Sequence, residues 1–163
     1  MPLYNPSVNS LGIYARQSFF VSTNQDVTNS STFTDSTDLQ APLLAGATYD
    51  FVTNELIGAS AFATSGAKSI LTYTGSATFA GCRLRNGFSG TEPINSTPSW
   101  GGSADTVNGT ATEPTKSLIV NRIGRIITTT SGILKVQFAQ STAVAAQYAR
   151  LIVGSYLQVQ RVS

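Results

Sequence analysis

Apolar and polar residues alternate along this chain in short runs with a period of two. In Ile133-Leu134-Lys135-Val136-Gln137-Phe138, Leu134, Val136 and Phe138 fall on one face and Lys135 and Gln137 on the other, the signature of a half-buried strand. Ser155-Tyr156-Leu157-Gln158-Val159-Gln160 repeats the pattern: Leu157 and Val159 take the core face and leave Tyr156 outward beside Gln158 and Gln160. At Phe19-Phe20-Val21 adjacent large apolar residues must point to opposite faces, so both faces are covered there, by a loop of the same chain or by another copy. Helical periodicity is nearly absent. Runs rich in Val, Ile, Thr, Tyr and Phe, punctuated by Gly, Ser, Asn and Pro, predict strands over 14–22, 47–57, 67–74, 77–84, 117–127, 133–140 and 149–162, with a shorter one near 31–34 or 39–44. The chain therefore reads as all-β, an antiparallel β-sandwich or jelly roll of about eight strands.

Two segments interrupt this texture. From 86 to 115 the chain is dense in turn formers and holds the single tryptophan, Trp100, which predicts a long surface loop with room for a small hairpin. Trp100 serves either as a sugar-stacking or protein-contact tip or as a cap folded back on the end of the sandwich. Residues 1–13 carry two prolines and no periodicity, which predicts an extended arm with Pro2, Leu3, Tyr4 and Pro6 as contact points. That arm either frays or orders on a neighbour. Residues 14–163 form the domain.

Composition narrows the chemistry. The 163 residues contain no histidine, which removes Ser-His-Asp and Cys-His catalysis, His-ligated metals and a histidine pH switch. Cys82 is the only cysteine, so there is no intrachain disulfide or thiolate cluster, and it reads as a small buried apolar residue. Gly66-Ala67-Lys68-Ser69 is not a phosphate loop, because the lysine does not follow the glycine directly. Asp35 and Asp38 offer hard oxygens for calcium, but read as solvated turn carboxylates. The Gly87-Phe88-Ser89-Gly90 run is no nucleophile elbow, and no two acids are placed together for glycoside hydrolysis. The expectation is a protein that is not an enzyme and has no cofactor and no metal site.

Charged residues make up 11% of the chain, against about 25% in a typical soluble domain, while Ser and Thr supply about a quarter. The net charge of +2 is too small to predict nucleic-acid binding, but its distribution is uneven. Between Arg16 and Lys68 there are only acids, and after Glu113 only bases. Such segregation fits electrostatic docking between copies or onto a charged platform as well as ordinary surface scatter. No run of about 20 apolar residues spans a bilayer, and the first residues lack a secretory pattern, so no membrane partner and no classical export are expected.

With the strands laid out, residues 33–162 resemble a family of domains in tailed-bacteriophage virion proteins, both capsid cement or decoration proteins and fibre or minor tail proteins. The resemblance rests on Asp38-Leu39-Gln40-Ala41-Pro42-Leu43-Leu44-Ala45-Gly46-Ala47-Thr48-Tyr49-Asp50-Phe51, on Gly132-Ile133-Leu134-Lys135-Val136-Gln137-Phe138-Ala139-Gln140, and on Gly154-Ser155-Tyr156-Leu157-Gln158-Val159. It implies a jelly-roll sandwich, often a trimer like those of the tumour-necrosis-factor fold, and by itself implies no chemistry. The chain has no fibrous stalk, unlike longer members. The expectation that follows is a virion cement protein, made in the host cytoplasm, bound as a homotrimer to the major capsid protein on the outer capsid surface, with Phe19, Phe20, Tyr148 and Tyr156 at the trimer interface. The alternative is a receptor- or carbohydrate-binding tip that contacts a host surface glycan through Trp100 and its loop.

Overall fold

The computed structural model describes residues 15–61, 64–88, 95–98 and 118–163, and the regular structure among them is entirely β. Eleven strands run in the order β1 (Gln17–Phe20), β2 (Gln25–Thr28), β3 (Thr34–Leu43), β4 (Ala47–Ala59), β5 (Lys68–Tyr73), β6 (Ala77–Phe88), β7 (Asn95–Pro98), β8 (Leu118–Thr128), β9 (Gly132–Ala139), β10 (Tyr148–Leu151) and β11 (Tyr156–Arg161). They build two antiparallel sheets. The larger has the order β1-β11-β4-β8-β6-β7, with β10 bridging β4 and β2, and the smaller has the order β3-β9-β5.

The inner faces of the two sheets share one core. Leu39, Ala41 and Leu43 of β3, Leu71 of β5, and Leu134, Val136 and Phe138 of β9 meet Tyr49, Phe51 and Ile57 of β4, Val120 and Ile126 of β8, and Leu157 and Val159 of β11. The expected parity of β9 and β11 is the parity found: Leu134, Val136, Phe138, Leu157 and Val159 are buried, while Lys135, Gln137, Tyr156, Gln158 and Gln160 face out. β4 alternates without a slip over 13 residues, so its even-numbered positions form a continuous outward row.

The crossing from β3 to β4 is fixed by its own side chains. Gly46 takes φ +63°, a conformation that favours glycine. The Leu44 amide donates to the Tyr49 hydroxyl at 3.0 Å, and the Thr128 hydroxyl donates to the Leu44 carbonyl at 2.6 Å. The run 38–51 is thus a sheet-to-sheet crossover that aims Tyr49 and Phe51 into the core.

Three strand expectations change. The run over 149–162 breaks at Ile152–Ser155, where Gly154 has φ +89° and the Ser155 hydroxyl accepts from the Leu56 amide at 2.9 Å, so that β10 and β11 serve successive stretches of one edge of β4. The first strand covers only Gln17–Phe20, where pairing with β11 exists. β6 continues to Phe88 and pairs with β7 as a hairpin, so the segment expected as loop from residue 86 begins as strand. The contact points Pro2, Leu3, Tyr4 and Pro6, and Trp100 with most of its loop, lie outside the described residues.

Candidate interaction surface and a buried ion pair

The two sheets present different outward faces. On the small sheet that face is polar: Lys135 lies between Gln40 and Thr72, and Asp35 lies opposite Gln137. Lys135 Nζ donates to Asp35 Oδ2 at 2.6 Å, and Gln137 Nε2 to Asp35 Oδ1 at 2.7 Å. These two donors, the lysine first, hold the Asp35 carboxyl below its ordinary range. The Ser22 amide and hydroxyl do the same for Asp38. Each carboxylate has its own protein donors, and the described residues contain no cluster of metal-ligating side chains.

The large sheet is apolar where water is expected. Phe20 of β1 sits directly opposite Tyr156 of β11, with ring centroids 6.1 Å apart and tilted by 54°. That is a cross-strand aromatic contact of the favoured geometry. The row continues through Asn54 of β4 to Asn121 of β8, and the next row runs Ser18, Gln158, Val52, Ile123. β8 turns Ile119, Ile123 and Ile127 to this face. Phe20 is 55% exposed, Ile123 47% and Ile127 44%. A groove of about 470 Å³ opens on the face, lined among others by Arg16, Asp50, Val52, Ile123, Gly124 and Gln158. Apolar side chains here are set among neutral amides, Arg16 and the Asp50–Arg125 pair, a mixture suited to contact with another protein.

The charge segregation of the sequence is used largely inside the chain. Asp26 pairs with Arg150, Asp35 with Lys135, Asp50 with Arg125 and Glu55 with Arg122, each an acid of the first part with a base of the last. The Arg150 and Arg125 pairs are two-pronged and solvent-exposed, so each adds little to stability. Their role is registration of neighbouring strands. Four acids of the first part of the chain are thus matched within the chain itself.

The fourth pair is buried between the sheets. The Arg122 and Glu55 side chains are 4% and 0% exposed. An Arg122 terminal nitrogen donates to Glu55 Oε1, which also accepts from the Thr53 hydroxyl at 2.9 Å. The other terminal nitrogen crosses to the small sheet and donates to the Ser69 carbonyl at 3.1 Å and hydroxyl at 2.9 Å. Arg122 therefore ties β8 to β5. Glu55 Oε2 and Arg122 Nε have no hydrogen-bond partner, a costly arrangement for buried charge. The pair holds the two sheets together, and solvent does not reach the Glu55 carboxylate.

Of the four residues expected at a subunit contact, the structure brings Phe20 and Tyr156 together. Phe19 turns inward and packs on the core. Tyr148 lies on β10, where its carbonyl accepts from Ser60, six residues along β4 from the Asn54 partner of Tyr156 and so about 20 Å away. Its ring is covered by the Arg150 guanidinium at 4.5 Å. Ile123, Ile127 and Val52 were not foreseen on the face, nor was the Arg122–Glu55 pair in the core; the signal was the presence of apolar residues at both parities of β8. Comparison with known protein families, curated proteins and solved structures finds no match to this chain.

Proposed function

We propose that this chain is a structural protein of a bacteriophage virion, a capsid cement or decoration protein that sits as a homotrimer on the outer capsid and stabilises the shell, and that its sandwich is a jelly roll. The observation that carries self-association is the outward face of the large sheet, where Phe20, Tyr156, Ile123 and Ile127 are set among neutral amides and the Asp50–Arg125 pair. A face of this kind is stabilised by removal from water at about 25 cal/mol per Å² of apolar surface. The jelly-roll reading is supported by the strand orders β1-β11-β4-β8 and β3-β9-β5, with the chain passing from one sheet to the other at β3, β4, β5 and β6. The virion assignment is supported by the sequence resemblance at 38–51, 132–140 and 154–159.

The experiment has two stages. Native mass should return about 51 kDa, three chains of 17.1 kDa. The trimer should then co-sediment with assembled capsid shells and raise the temperature at which they open. A monomer removes the self-association that the outward face supports. A trimer that binds no shell, but is retained by immobilised host-surface glycan, replaces the cement role with that of an adsorption tip.

A further inference from the structure

We propose that residues 17–28 form a strap that opens from the sandwich as a unit, with the Asp38 carboxylate as its latch. β1 and β2 are one outer strand interrupted at 21–24, and the interruption lies opposite the break between β10 and β11 at 152–155. Each half pairs with one neighbour among the described residues, β1 with β11 and β2 with β10, whereas β4 and β8 are paired on both sides. The strap has few apolar anchors. Val21 and Val27 are buried and Phe19 packs partly against the core, while Phe20 and residues 22 to 24 are exposed. An outer strand with one ladder and few buried side chains opens at lower free energy than the strands inside a sheet.

The latch lies on the other sheet. Asp38 belongs to β3, and its Oδ2 accepts from the Ser22 amide at 2.9 Å and from the Ser22 hydroxyl at 3.1 Å, in the middle of the strap. The Thr37 hydroxyl donates to Oδ1 at 3.3 Å, and the Thr37 amide donates to Gln25 Oε1 at 3.1 Å, a second tie from β3 to the strap. Asp38 differs from the other described acids: Asp26, Asp35, Asp50 and Glu55 each hold a base, while its own donors are neutral. Hydrogen bonds to an ionised acceptor are the strong ones, so one carboxylate governs a short strap. Beside the latch the strap closes on the β10–β11 break. The Val21 amide donates to the Ser155 carbonyl at 2.9 Å, the Gly154 amide to the Val21 carbonyl at 3.2 Å, and the Val153 amide to Asn24 Oδ1 at 2.9 Å. These bonds break when the strap leaves, although none of them involves Asp38.

The latch responds to acid. The Ser22 amide, first among its donors, holds the Asp38 carboxyl below its ordinary value of 3.8. The tie is therefore intact above that pH and is lost as pH falls through the lower folded value. The charges on the neighbouring strands are engaged or remote: Lys135 is bonded to Asp35, Arg150 to Asp26 and Arg122 to Glu55, β1 carries none, and Arg161 lies at the far end of β11, opposite Tyr49. Tyr156 faces outward.

Hydrogen exchange in the full-length protein tests this, with the Val21 and Gly154 amides as reporters and the β8 amides as reference. At pH 7 the two reporters should exchange together, and faster than β8. Asp38→Ala should speed both by roughly tenfold or more and leave β8 unchanged. Asp38→Asn keeps a carbonyl oxygen for Ser22 without the charge, so its reporters should fall between the parent and Asp38→Ala. Below pH 3.8, exchange corrected for the intrinsic rate should accelerate in the parent and not in Asp38→Asn. Reporters that keep the parent rate in Asp38→Ala overturn the latch. Reporters and β8 amides accelerated alike make the opening global and overturn the strap. A parent that matches Asp38→Asn at every pH refutes the role of the charge.

Discussion

Replacing Arg122 with Met leaves the Glu55 carboxylate in the core with the Thr53 hydroxyl as its remaining donor among the described residues. Both ionic side chains are at most 4% exposed, so water does not compensate. Removing one partner of such a pair costs about 3–5 kcal/mol, and the Ser69 carbonyl loses its Arg122 donor as well. Against a total stability of about 5–15 kcal/mol, that is a large fraction. With a urea slope of about 2 kcal/mol/M, a loss of ~4 kcal/mol lowers the unfolding midpoint by roughly 2 M. The companion variant Glu55→Leu/Arg122→Met removes both charges and should recover most of this, ending within about 2 kcal/mol of the parent because Ser69 still lacks a partner. The assay is urea unfolding at one fixed protein concentration, since association would otherwise enter the midpoint. If Arg122→Met costs under about 1 kcal/mol and the double variant is no more stable than the single, the pair is hydrated and the reasoning fails.

Three further outcomes follow from local geometry. Gly132→Ala places a methyl group 2.5 Å from the Gly75 amide and 2.9 Å from the Tyr73 ring, so the back-to-back turns must separate, at about 1–3 kcal/mol by thermal unfolding; an unchanged melting temperature would contradict this packing. The Asp35 carboxyl is held below its ordinary value of 3.8, mainly by Lys135, so its contribution is present above that pH and is lost as pH falls through the lower folded value; Asp35→Asn should flatten the acid limb of a urea-midpoint series, and an unaltered limb would count against it. Burial, with Tyr49 as a smaller cause, pushes the Tyr73 phenol up to about 12 while its hydroxyl donates to the Thr130 carbonyl at 2.7 Å, so the folded chain is fully favoured below pH 10 and loses that part between pH 10 and about 12. Tyr73→Phe should remove this alkaline loss, and tyrosinate absorbance that rises without a late component would refute it.

Period-two alternation was enough to read β9 and β11, where Leu134, Val136 and Phe138, and Leu157 and Val159, alternate with polar residues. β4, by contrast, was read from its density of strand formers, and it buries Thr53 and Glu55 on its inner face. The short β2 and β7 escaped the reading because Gln25-Asp26-Val27-Thr28 and Asn95-Ser96-Thr97-Pro98 are turn-like in composition. Backbone pairing with a neighbour makes them strands, and propensity does not report a neighbour. The break between β10 and β11 was equally hidden. Val153-Gly154-Ser155 reads as continuous strand until the length of β4 shows that one edge must serve two partners.

β8 joins the interaction surface to the buried pair. Its sequence Leu118-Ile119-Val120-Asn121-Arg122-Ile123-Gly124-Arg125-Ile126-Ile127-Thr128 has apolar residues at both parities, so composition alone leaves open which set faces the core. Pairing with β4 decides it, since β4 can only bury Tyr49, Phe51 and Ile57, and the register then forces Val120, Arg122 and Ile126 inward. Arg122 is tolerated there because Thr53 lies opposite it and Glu55 one step further along the same face, a diagonal neighbour within reach of a long side chain. The same register sends Ile119, Ile123 and Ile127 outward. A one-residue slip would bury Ile119, Ile123 and Ile127 but would carry Asn121 and Arg125 inward with them and expose Val120 and Ile126, so it exchanges one buried arginine for another and gives up the Glu55 partner. The register that gives Arg122 its Glu55 partner is therefore also the one that leaves Ile123 and Ile127 on the exposed face.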